Sequence, residues 1–146
     1  MSNYNIQQML DGYRNVVYRV AGQVDNTVDG STPAGDIATT MLIDIATLNP
    51  VPTSLRIERV KFSIPHGTPL DVNLWWQATT DVLAWGMGGG DDNEFSNFGG
   101  LTNNAPPGFT GNIMFSTSGI GSTGPAAPLT FAFIVECVKQ RIQVGA

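Results

Sequence analysis

The sequence predicts an all-β domain, a β-sandwich or jelly-roll-like fold of seven or eight short strands joined by long Gly/Pro-rich loops. Three observations carry this. Seventeen glycines and nine prolines divide the 146 residues into short runs, a spacing that suits strands better than helices. The runs between them favour β-branched and aromatic residues and often alternate with period two. The one helical candidate, residues 6–10, is too short to be stable alone.

The elements follow in order. Residues 1–12 are expected as a polar N-terminal arm, with Tyr4, Ile6, Met9 and Leu10 spaced along it to meet a neighbouring subunit; the alternative is terminal disorder. Residues 13–146 form one β-sandwich domain, with no internal repeat and no boundary. Its first strand is 13–21, followed by a polar loop over 22–35 and a strand at 39–46. Asn49-Pro50-Val51-Pro52 stops that strand, because proline cannot donate to a ladder.

In the next strand, 54–64, Leu55 and Ile57 share one parity while Val60, Phe62 and Ile64 take the other. Alternation has period two, so the phase change requires an extra residue near Glu58-Arg59. A β-bulge there would bend the strand from one sheet toward another. Over 70–78, Val72, Leu74, Trp76 and Ala78 face one way and Asp71, Asn73, Trp75 and Gln77 the other. Val82–Met87 is its hairpin partner. Regular structure is expected to fail over 86–111, where Phe95, Phe98 and Phe109 either plug the end of the sandwich or are shown to a partner. Strands resume at 112–117, and the last runs over 129–140. That last strand is apolar on both parities, so it is central and covered on both faces or lies at a subunit contact.

Composition excludes several functions. The chain carries seven Lys and Arg against twelve Asp and Glu, a net charge of −5, with only 13% charged residues. Scattered basic residues give no footprint for nucleic acid. The surface must be built from Asn, Thr, Ser, Gln and Gly, which suits close contact with protein or sugar. No run approaches the roughly 20 apolar residues that span a bilayer, so no membrane partner is expected. The N-terminal ten residues have neither a basic start nor an apolar core, so synthesis in a cytoplasm without a signal peptide is expected.

No catalytic, cofactor or metal motif is present. There is no P-loop, dinucleotide fingerprint, nucleophile elbow or Cys/His metal spacing. Cys137, in an apolar run, reads as a small buried hydrophobe, and the single histidine, His66, lies between prolines in a loop. Asp91-Asp92-Asn93-Glu94 lacks the alternate spacing that aims carboxylates at one calcium ion. The chain is therefore expected to be a binding protein and not an enzyme. Trp75, outward among polar neighbours, is the sharpest candidate anchor for a protein or a sugar ring. With Tyr4, Ile6, Met9, Leu10, Phe95 and Phe98 it makes up the expected partner-binding set.

The run from Leu48 to Val60 (LNPVPTSLRIERV), the run from Val72 to Asp81 (VNLWWQATTD), the Gly-Phe-Thr-Gly of residues 108–111 and the apolar final strand together resemble the small decoration, or cement, proteins on the heads of tailed bacteriophages. The likeness covers the middle and C-terminal thirds and carries over no individual functional residue. It implies a β-sandwich or β-tulip domain, commonly a homotrimer, that sits on the outer capsid surface of the virion. It further implies that the domain bridges subunits of the major capsid protein without enzymatic activity. A tail- or fibre-associated adaptor or receptor-binding domain and a carbohydrate-binding module are the competing expectations.

Overall fold

The computed structural model describes residues 3–25, 35–88, 92–104, 108–120 and 129–141. Nine strands are described: β1 (Asn3–Asp11), β2 (Asn15–Val24), β3 (Thr40–Ile43), β4 (Ser54–Ser63), β5 (Asp71–Trp76), β6 (Val82–Met87), β7 (Asp92–Glu94), β8 (Ile113–Ser118) and β9 (Leu129–Gln140). They form two antiparallel sheets, ordered β1-β2-β9-β4-β7 and β3-β8-β5-β6. From β2 onward the pairing is nested: β2 with β9, β3 with β8, β4 with β7 and β5 with β6. Together the two sheets make a β-sandwich, with β1 added outside β2.

The core lies between the sheets and follows from alternation. Val16 and Val20 on β2, and Leu55, Ile57 and Val60 on β4, face Val72, Leu74 and Trp76 on β5 and Phe115 on β8. Each large side chain so enclosed contributes about 2–3 kcal/mol. Phe115 meets Phe133 edge-on at a centroid distance of 5.8 Å, which ties the layers together.

The expected bulge is present. Ile57 and Arg59 oppose the adjacent residues Cys137 and Glu136, so Glu58 is the additional residue. It keeps Leu55, Ile57 and Val60 all inside despite their opposite parities. The bulge does not carry β4 into the other sheet; β4 stays between β9 and β7. Instead the Glu58 carbonyl oxygen accepts from the Phe95 N–H at 2.8 Å, which anchors the segment after β7.

Three other expectations are corrected. Residues 3–11 are not an arm, nor is 6–10 a helix: they form β1, paired along β2 from Asn3↔Gln23 to Asp11↔Val16 with a bulge between Gln8 and Leu10. Gly22 makes room for this, since a Cβ there would lie 2.9 Å from the Phe131 ring. Segment 86–111 holds more order than expected, with β7, a 3-10 turn at Ser96–Phe98 and a bridge between Ile57 and Leu101. Finally, 39–46 is a strand only over Thr40–Ile43, after which Asp44 caps a 3-10 turn at Ile45–Thr47 through Ala46 N–H.

The last strand is central, between β2 and β4. Its odd-numbered residues, from Phe131 to Lys139, face the core. The other parity is half-covered, and the reason lies in the register: Ile134 stands opposite Arg19 on one side and Lys61 on the other. The alkyl stems of two long cationic side chains suit an apolar neighbour while their charges reach water.

Candidate binding surface

The two outer faces of the sandwich differ in charge. Arg19 lies on β2, Arg56, Arg59 and Lys61 on β4, and Lys139 on β9, while Arg14 and Arg141 immediately flank β2 and β9. All seven basic residues therefore belong to the five-stranded sheet or its ends. The four strands of the other sheet contain one charged residue, Asp71, at the start of β5. A sheet face with no cation and a single terminal carboxylate is poorly suited to stand alone in water.

Across that face runs an apolar row. Trp75 on β5 stands opposite Leu83 of β6 and Met114 of β8, and Met114 stands opposite Met41 of β3. One side chain from each of the four strands thus lies in line. Leu83 is 51% exposed, and Trp75, Met114 and Met41 are half-buried. Their chain neighbours Leu74, Trp76, Ile113, Phe115 and Leu42 are buried, so the row points outward. A bulge between β5 and β6, which opposes Leu74 to Trp85 and Trp75 to Leu83, sets Leu83 beside the tryptophan.

The tryptophan ring is held in place. Its Nε1–H donates to Ser116 Oγ at 2.9 Å, and Ser116 is itself buried. Next to the row, Asn73 Nδ2 donates to Ser118 Oγ at 3.1 Å, and Gly86 stands opposite Asn73. Toward the other end, Gln77 Oε1 accepts from Asn112 Nδ2 at 3.0 Å and from the Thr110 hydroxyl at 2.8 Å. The surroundings of the row are thus uncharged amides and hydroxyls already oriented by one another. A fixed aromatic in an uncharged polar frame is the composition of a protein-contact hot spot.

The expected partner-binding residues do not converge. Trp75 is on this face, as its parity indicated. Tyr4 is 43% exposed, but its ring packs edge-on against Phe115 at 5.3 Å, and Ile6 packs against the core from β1. Met9 and Leu10 are exposed at the far end of β1. Phe98, on the turn after β7, is 69% exposed. Phe95 is corrected: it is 4% exposed, with its ring 4.8 Å from Trp85, and it has no surface to offer a partner. Leu83, Met114 and Met41 were not singled out from the sequence. Each lies on an ordinary short strand, and only the pairing register aligns them with Trp75.

The acidic cluster is engaged internally. Asp92 pairs with Arg59, whose guanidinium holds that carboxyl below the ordinary carboxylate range. Glu94 is also lowered, chiefly because it accepts from the Ser96 hydroxyl and N–H. Asp91 lies outside the described residues. Among the described residues no three His, Cys, Asp or Glu side chains are grouped to hold a metal ion, and no helix is long and apolar enough to cross a membrane.

No protein-family model matches the chain, and neither a curated protein nor a solved structure matches it.

Proposed function

We propose that the protein is a non-enzymatic structural component of a virion that binds the outer surface of a phage capsid and stiffens the shell by bridging capsid subunits. The observation that carries this is the outer face of the β3-β8-β5-β6 sheet, crossed by the row Leu83–Trp75–Met114–Met41 and free of cations. That face is the docking surface for the major capsid protein, with the charged five-stranded face left toward water. The two-sheet β architecture adds support by analogy, since double-sheet β folds recur in viral capsid and lectin domains. The resemblance of 48–60 and 72–81 to decoration proteins names the partner.

Shells lacking the protein are expected to rupture at a lower temperature, and purified protein added back restores resistance, because a ligand of the intact state stabilises that state. Trp75→Ala together with Leu83→Ser removes the restoration while leaving the domain folded. Equal rupture of shells with and without the protein, and no binding of purified protein to them, overturns the reading.

A second reading is carbohydrate binding, favoured by Trp75 framed by Asn73, Gln77 and Ser116. Retention of the wild-type protein, but not of Trp75→Ala, on a glycan array would favour it over the shell. A tail or fibre position is distinguished by labelling intact particles.

A further inference from the structure

We propose that β1 is a self-association edge: it pairs antiparallel with β1 of a second copy about a two-fold axis, joining two five-stranded sheets into one continuous sheet. This does not depend on the capsid reading, and it departs from the threefold association that the decoration-protein resemblance implies.

Among the described residues β1 is the outermost strand of its sheet, with β2 on one flank and no strand on the other. Among the described residues no backbone hydrogen bond reaches that outer flank. An open flank presents unpaired N–H and C=O groups and is a template for another strand. Proteins ordinarily blunt such edges with lysine, proline, shortness or a bulge. β1 is nine residues long, and its first eight, Asn-Tyr-Asn-Ile-Gln-Gln-Met-Leu, contain no charge and no proline. Its one bulge comes late, between Gln8 and Leu10, leaving Asn3–Gln8 regular.

The opposite side of the sandwich shows what a closed side looks like. There Trp85 Nε1–H of β6 donates to Asn93 Oδ1 of β7 at 2.9 Å, and Phe95 packs beneath. The edge strand β7 has only three residues, and Asp92 and Glu94 both engage Arg59. β1 is three times as long and among the described residues carries no ion pair before Asp11, and Tyr4, Met9 and Leu10 are three of the seven large apolar side chains exposed among those residues.

The strand fits its own copy. A two-fold axis perpendicular to the sheet at Ile6 sets Ile6 beside Ile6, Asn5 beside Gln7 and Tyr4 beside Gln8. Every pair keeps its face, so both cores remain on the same side of the joined sheet. No like charges meet, because Asp11 lies beyond the paired stretch and is bound to Lys139. Asn and Gln each donate and accept, so amides facing amides satisfy one another. A two-fold contact of one patch with itself always closes, whereas an edge contact of unlike strands closes only when its rotation completes a ring.

Light scattering at micromolar concentration tests this. The expected mass is twice that of the chain, and the outward amides of β1 are protected from hydrogen exchange. Asn5→Lys with Gln7→Lys places like charges across the axis and is expected to give the mass of one chain, with the circular dichroism melt of a folded domain. Asn5→Glu with Gln7→Glu behaves the same way, and an equimolar mixture of the two variants returns the doubled mass. That rescue separates a lost contact from a damaged fold. A single-chain mass for the wild type, a trimer that neither pair of substitutions alters, or a mixture that stays monomeric overturns the proposal.

Discussion

Lys139 Nζ, with its side chain fully enclosed, lies 2.8 Å from Asp11 Oδ1. The pair reaches from β9 past β2 to β1, so one ion pair fastens the outermost strand to the centre of its sheet. The same ammonium donates to the Pro50 carbonyl oxygen at 2.9 Å, and Asp11 Oδ2 accepts from the Asn49 N–H at 2.9 Å. The loop before β4 is thereby tied in as well. A buried pair adds little net stability over an apolar replacement, but removing one partner strands the other. Asp11→Asn is therefore expected to cost about 3 kcal/mol in urea unfolding. Lys139→Met is expected to cost less, since Asp11 is partly exposed and keeps its Asn49 contact. If Asp11→Asn unfolds at the wild-type midpoint, the pair does not hold β1.

The Cys137 thiol is 2% exposed, and burial pushes its pKa up, with Glu58 and Glu136 adding to the shift. A disulfide reagent is expected to leave it untouched in the native protein and to label it on unfolding. The sign of the pH effect follows. A thiol whose folded pKa is raised keeps its full contribution to stability below the unfolded pKa and loses it as pH rises. Stability is therefore expected to fall above about pH 8.5 by up to ~1.4 kcal/mol per pH unit, and Cys137→Ala is expected to lack that fall. Equal pH profiles for the two proteins contradict it.

Ile134 and Val135 are neighbours on β9 with opposite fates. Val135 is fully buried, whereas Ile134 faces outward between Arg19 and Lys61. Ile134→Asp is expected to fold with a melting temperature near that of the wild type, because the new carboxylate meets two cations. Val135→Asp places a charge in the core and is expected to abolish folding. A folded Val135→Asp, or an unfolded Ile134→Asp, would show the inward parity to be wrong.

The same strand shows what one-dimensional pattern can and cannot resolve. Alternation located the bulge near Glu58-Arg59, because a one-residue phase change between Ile57 and Val60 has few other causes, and the register fixes it at Glu58. It also set Trp75 outward and Trp76 inward. It could not tell why β9 is apolar on both parities, because the answer is the register that brings Arg19 and Lys61 beside Ile134. The row Leu83–Trp75–Met114–Met41 was hidden for the same reason: it runs perpendicular to the chain. β1 reads as an arm because Tyr4 and Ile6 are its only inward apolar residues before the bulge, too little alternation to detect. Gly22, which permits Phe131 to lie close, gave no hint of that role in the sequence.

Phe95 and Phe98 are three residues apart in a glycine-rich segment, and composition gives them the same standing. The structure separates them. The Phe95 N–H donates to the carbonyl of the bulge residue Glu58, and its carbonyl oxygen accepts from Gly100 N–H at 2.8 Å. Its ring is thereby turned under Trp85, where it closes the β6–β7 side of the sandwich. Phe98 rests against Phe95 edge-on at 6.1 Å with most of its surface in water. Phe95→Ala opens a cavity beneath Trp85 and is expected to cost about 3–5 kcal/mol. It should also release the Trp85–Asn93 hydrogen bond, read as a red shift in tryptophan emission. Phe98→Ala is expected to change stability by no more than about 0.5 kcal/mol, as exposed substitutions do. If Phe98→Ala weakens binding to shells while leaving the melt unchanged, the partner surface reaches beyond the four-stranded face to this turn. If Phe95→Ala unfolds at the wild-type midpoint, Phe95 does not close the sandwich.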